Sequence, residues 1–138
     1  MKILHFDSSI LIPYINAKIK APLKRKEDAK IRERAVKFVD SCRLPVKISI
    51  ATFGEILRNY PEDADALQQF AETVPSAPLE LKSRDARRWA RLQNRSKLVM
   101  GDNDAWNAAL AINDRAALVG HDHAFENRPD LEYIDFTK

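Results

Sequence analysis

Cysteine is all but missing: Cys42 is the single one in 138 residues. No internal disulfide can form, and a chain of this size has enough core to hold without one, so a reducing compartment, the cytoplasm, is expected. Glycine occurs only three times, and no low-complexity stretch or fixed-period repeat is present, which argues against a disordered or solenoid chain. Long apolar runs are absent too. The first one, Ile3-Leu4-His5-Phe6, is interrupted by a histidine and stops at Asp7, far short of a signal peptide or a membrane span. What is there, 45% hydrophobic residues, suits one compact domain covering residues 1–138 and no membrane association.

The net charge is a modest +3, but it is unevenly spread. Lys18, Lys20, Lys24, Arg25, Lys26, Lys30, Arg32 and Arg34 crowd one stretch, and Arg84, Arg87, Arg88, Arg91 and Arg95 form a second. Two readings stand for each group. Either it is a phosphate-facing patch that attracts nucleic acid, with Lys24, Arg25 and Lys26 as the candidate contacts, or it is a solvated helix face offset by Glu27, Asp28, Glu33 and Asp85.

Strands alternate with helices along the chain. Residues 2–6 read as a buried strand, followed by a helix capped by Ser8 or Ser9 that carries Ile10, Leu11, Tyr14 and Ile15. A connection through Pro22 leads to a long helix ending near Cys42, with Ile31, Ala35, Val36, Phe38 and Val39 on its apolar side. Residues 46–50 are rich in β-branched side chains and read as strand two, and Thr52 to Tyr60 as a helix closed by Pro61. A short helix over 63–73, a turn at 74–78 and a short strand at 79–81 follow. Ser83 is a good cap for a helix burying Ala86, Trp89, Ala90 and Leu92. After a loop at 96–103, an alanine-rich helix opens at Asp104, and strands at 116–120 and 131–136 finish the chain, the last at an edge. The fold class is therefore α/β: an α/β/α sandwich with a mostly parallel central sheet.

Four acids mark the ends of these runs. Asp7 follows the first strand, Glu55 lies just beyond the second, Asp122 just beyond the third run at Ala116-Ala117-Leu118-Val119, and Asp104 opens a helix. In a parallel sheet the carboxyl ends of the strands share one edge, where α/β folds take their ligands. Carboxylates gathered there repel one another unless a cation holds them. With no cysteine or converging histidine partner, oxygen-only ligands select a hard ion, Mg²⁺ or Mn²⁺. Each acid has a plainer reading beside this one: Asp7 as a helix-start acid favoured by the dipole, Glu55 as a solvent-facing helix residue, Asp104 as part of a capping sequence with Asp102 and Asn103. His121 and His123 flank Asp122, but adjacent residues rarely converge on one ion, which argues against zinc. Asn107 reads either as a support one turn beyond Asp104 or as a surface residue.

Taken in order, these segments resemble the PIN-domain ribonucleases, in particular the VapC-type toxins of toxin–antitoxin pairs. Phe6-Asp7-Ser8-Ser9 is similar to the family's strand-one signature, Ser49-Ile50-Ala51-Thr52-Phe53-Gly54-Glu55 to its second motif, Asp104-Ala105-Trp106-Asn107-Ala108-Ala109 to its third, and Leu118-Val119-Gly120-His121-Asp122-His123-Ala124-Phe125 to its fourth. One departure is Gly120, where many members carry a hydroxyl residue two before the last acid. The resemblance implies a Mg²⁺- or Mn²⁺-dependent endoribonuclease with Asp7, Glu55 and Asp104 as metal ligands and Asp122 completing the catalytic set. Ser9 would support an acid or a metal-bound water. It also implies an RNA substrate, a small antitoxin protein as partner and a homodimer. Two other expectations of the same fold class stand beside it: a receiver-like phosphoacceptor signalling domain, for which the late lysine is missing, and an RNA-binding module without catalysis.

Overall fold

A computed structural model describes residues 2–60, 80–95 and 100–138. The helix expected over 63–73 and the turn at 74–78 lie outside them, as does the first residue of the strand expected at 79–81. The remaining two, Glu80 and Leu81, are coil.

In chain order the elements are β1 (Leu4–Phe6), α1 (Ser8–Lys18), α2 (Lys26–Ser41), β2 (Val46–Lys47), α3 (Ile50–Asn59), α4 (Ser83–Arg95), α5 (Asp102–Asn113), β3 (Ala117–Gly120), a 3₁₀ turn (His123–Phe125) and β4 (Glu132–Asp135). The four strands form one sheet in the order β2-β1-β3-β4, every pairing parallel. This is the expected α/β/α sandwich. None of the described helices is long and apolar enough to cross a membrane.

Side-chain alternation along the strands assigns the two layers. Leu4 and Phe6 on β1, with Ala117 and Val119 on β3, pack with Ile10, Leu11, Ile15, Ala35 and Ile56 from α1, α2 and α3. Leu118, one residue out of phase, joins Ala105, Ala108 and Ala111 of α5, with Trp89 and Leu92 of α4 beside them. The alanines of α5 are fully buried, which lets that helix lie close on the sheet beneath α4. Along the edge strand β4 and the residue after it the same alternation holds, Ile134 and Phe136 packing with the first cluster and Tyr133 with the second.

Strand order carries the functional consequence. The chain leaves β1 toward β2 on one side and then crosses over to β3 on the other. The switch point therefore lies between β1 and β3, and ligand crevices of parallel sheets open outside the carboxyl ends there.

Several boundaries differ from expectation for identifiable reasons. Strand two is only Val46–Lys47, because the Ser49 hydroxyl turns to accept from Thr52 N at 3.0 Å and starts α3 two residues early. The cap of α1 is Asp7, not Ser8 or Ser9. At α5 the cap is Gly101, so Asp102 and Asn103 are inside the first turn with Asp104. In α4 the inward residue is Asp85, 1% exposed, while Ala86 is exposed. Asp85 is held by Lys82 N at 3.0 Å and Asn113 Nδ2 at 2.9 Å. Beside it, His5, buried in β1, meets Asp114 at 2.9 Å, and Arg84 reaches the same carboxylate at 3.1 Å. This polar cluster fastens α4 and the end of α5 to β1.

Asp85→Ala removes the partner of the Lys82 N–H and one of the two acceptors of the half-buried Asn113 amide, which keeps Arg84 O at 3.2 Å. It should cost about 1–3 kcal/mol in chemical denaturation, whereas Ala86→Ser next to it should stay within about 0.5 kcal/mol.

Candidate metal centre

Asp7 stands where β1 ends. Its backbone N–H still bonds to Val119 O at 2.9 Å, so its position is set by the sheet, and its side chain turns back to accept from Ser9 N at 3.3 Å and cap α1. The carboxylate is 2% exposed. Oδ1 accepts from Asn107 Nδ2 at 2.8 Å and Oδ2 from Ser9 Oγ at 2.7 Å. Burial raises its pKa above the ordinary carboxylate value, against the pull of these hydrogen bonds.

Asn107 is the residue that sequence reasoning underrates. It is buried rather than at the surface, and it supports Asp7, not Asp104. Its Oδ1 accepts from Thr52 Oγ1 at 3.2 Å and from Ser49 Oγ. Since an amide with both acceptor bonds in place must present its NH₂ elsewhere, the hydroxyls of α3 fix which face of Asn107 meets Asp7. The available signal is a polar residue set among the alanines of that helix, Ala105, Ala108, Ala109 and Ala111.

Gly120 has a related explanation. A Cβ there would lie 2.7 Å from Ser9 Oγ and 3.2 Å from Asp7 Cβ. Only glycine leaves room for the Ser9 hydroxyl, which also accepts from His121 N at 2.8 Å. The hydroxyl missing at position 120 is thus matched by one arriving from α1 into the same space.

The other acids are more open. Glu55, in the second turn of α3 because that helix starts early, accepts from Ser8 Oγ at 2.9 Å through Oε2. Its Oε1 is buried with no hydrogen-bond partner. Burial raises its pKa, and the charges of Asp7 and Asp122 add to the shift. Asp104, in the first turn of α5, is pushed up to about 7, by burial first and then by Asp122, Asp7 and Glu55. Asp122 caps the 3₁₀ turn by accepting from Ala124 N at 2.9 Å, and its own N–H donates to Tyr133 Oη at 2.9 Å. The four acids therefore make one acidic region at the switch point, the acidic pocket, where Asp122, Asp7 and Glu55 bear on Asp104, and Asp7 and Asp122 on Glu55. The flanking histidines turn away from it: His121 bonds to Asp135 at 3.1 Å and His123 to Glu126 at 3.3 Å. Lys24 and Arg25 are exposed on the loop before α2, and Lys26 opens that helix.

An all-oxygen donor set, raised carboxyl pKa values and an orphaned buried oxygen on Glu55 fit a hard divalent cation. Among the described residues no group of three acids or histidines stands close enough to ligate one ion together. The set therefore suits an ion that takes one or two carboxylates and keeps much of its water, as Mg²⁺ does.

No family model matches the chain, and no curated protein matches it. Solved structures do. The chain is similar to one in VapBC-1 from nontypeable Haemophilus influenzae, with 20% identity over 99% of both chains and a TM-score of 0.70. Another is in VapBC2 from Rickettsia felis bound to a DNA fragment from their promoter, with 18% identity over 96% of this chain and 97% of that one and a TM-score of 0.69. A third is in FitAcB from Neisseria gonorrhoeae, with 15% identity, the same coverages and a TM-score of 0.72. The fold is thus the PIN-like α/β/α sandwich expected.

Asp104 binds a proton more readily folded than unfolded, since its carboxyl rises from 3.8 to about 7. Its contribution to stability is therefore present below about pH 4 and is lost as the pH rises toward 7. In EDTA, Asp104→Asn should melt close to wild type near pH 4 and progressively above it as the pH rises to 7.5. Thermal melts across that range check the sign.

Proposed function

We propose that this protein is a Mg²⁺- or Mn²⁺-dependent endoribonuclease of the PIN-domain, VapC type, acting as the toxin of a toxin–antitoxin pair. What supports the reading is the charge coupling among Asp7, Glu55, Asp104 and Asp122 at the β1/β3 switch point, with Glu55 Oε1 buried and unpartnered. Support for the toxin assignment comes from the fold shared, over nearly the whole chain, with chains of toxin–antitoxin complexes from several bacteria.

Asp7, Glu55 and Asp104 would hold the ion, directly or through its waters, and Asp122 would complete the pocket. A bound divalent ion supplies a water of lowered pKa and neutralises charge on the phosphate oxygens. The chain's own part is preorganisation. Asn107 and Ser9 hold both oxygens of Asp7, so that carboxylate needs no reorientation when substrate arrives. Ser8 fixes one oxygen of Glu55 and leaves the other buried without a partner. Asp104, held by the start of α5 and less constrained, is the acid free to adjust to an ion and a phosphate.

By the same reading the substrate is RNA, a small antitoxin protein covers the site, and the toxin is a cytoplasmic homodimer. Asp7→Asn or Asp104→Asn should abolish Mg²⁺-dependent cleavage of RNA by the purified protein, leaving its far-UV circular dichroism unchanged. Full cleavage by either variant, or cleavage undiminished in EDTA, would overturn the assignment.

A further inference from the structure

One basic group remains unused by the acidic pocket. Lys26, Lys30 and Arg34 follow one another at four-residue intervals on α2, so they share one face of the helix about one turn apart. They line a cleft of about 530 Å³ together with Ile31 and Glu27, and its other wall is His121 and Thr137. None of the three cations makes an ion pair among the described residues. Nearby charges behave otherwise: Lys18 pairs with Asp40, Arg25 with Asp28, and Arg32 is tied to the carbonyls of Ala21 and Pro22. A row of like charges repels itself along the helix, and the single acid in the cleft, Glu27, leaves it with net positive charge.

The cleft also leads somewhere. His121 follows directly on β3; its backbone N–H bonds to Ser9 Oγ, which in turn bonds to Asp7. Its ring is held against the far wall by Asp135 and Thr137. The basic row therefore approaches the acidic pocket from the α2 side, with His121 at the junction.

We infer that this cleft is the track for the substrate strand, Lys26, Lys30 and Arg34 taking successive backbone phosphates of single-stranded RNA and leading the strand to the pocket past His121. The four-residue repeat rises about 6 Å per step, a spacing suited to consecutive phosphates of an extended strand. The inference rests on the nuclease reading for what happens at the end of the track. It also shifts the RNA contacts from Lys24 and Arg25, which lie outside the cleft, to Lys26, Lys30 and Arg34.

Binding and cleavage separate the two. A fluorescein-labelled single-stranded RNA is titrated with protein in EDTA, where no metal-dependent cleavage occurs, at several salt concentrations. The Lys30→Ala, Arg34→Ala double variant should bind roughly tenfold more weakly. The slope of log affinity against log salt should fall by about 1.4, or 0.7 per lost contact. A control with equal charge loss on α4, Arg87→Ala with Arg91→Ala, should lose less than about threefold and keep the slope. The charge-conserving Lys30→Arg, Arg34→Lys pair should bind as wild type. In the Mg²⁺-dependent reaction the cleft double variant should raise KM and leave kcat near wild type. Equal losses in the two double variants, no loss in the cleft variant, or no RNA binding by wild type would each overturn the track. Binding that follows the expected pattern without any cleavage would instead sink the nuclease reading and leave the track standing.

Discussion

The burial of one carboxylate at the end of the central strand constrains everything else in the site. Asp7 is anchored through its backbone to β3 and nearly removed from water. Such a group must be hydrogen-bonded or neutralised. The chain answers from three directions: Ser9 from α1, Asn107 from α5, and behind Asn107 the Ser49 and Thr52 hydroxyls of α3. Satisfying one acid thus fixes the relative placement of three helices on the sheet. Gly120 belongs to the same solution, because a side chain there would displace the Ser9 hydroxyl.

A second buried acid shows what a purely structural solution looks like. Asp85 is as deeply buried as Asp7, yet its partners are Asn113, a backbone N–H and the nearby Arg84, a cation it shares with Asp114. That cluster is complete within the protein. The pocket at the switch point is not complete, since Glu55 keeps an orphaned oxygen and Asp104 is driven to about 7 by burial and by three neighbouring acids. Acids in the first arrangement stabilise the fold. In the second they are arranged at a cost, and a cation is the natural remedy.

Much of this is legible in the amino-acid sequence, because strand ends, apolar runs and helix-opening acids are local patterns. The four strands, the parallel sheet and the positions of Asp7, Glu55, Asp104 and Asp122 at its edge follow from them. What local pattern does not carry is side-chain direction across elements. Asn107 reads as a support for Asp104 or as a surface residue until α5 is docked on the sheet and turns it to Asp7, and Gly120 reads as a defect until Ser9 is seen in its space. The inward turn of Asp85 in place of Ala86 escapes for the same reason. Hydrophobicity favours the alanine, and only the partners waiting on α5 reverse the choice. Ser49 reads as strand and acts as a cap, since its hydroxyl serves both Thr52 N and Asn107.

On the proposed function the four acids form a site for a divalent cation. Calorimetric titration of Mn²⁺ into the metal-free protein at pH 7.5 tests it most directly. Saturable binding at the pocket, lost in Asp104→Asn and in Asp7→Asn but unchanged in Asp130→Asn, which lies outside the pocket, is the expected result. Binding that is absent from the wild type, or equally strong in all three variants, would contradict the account.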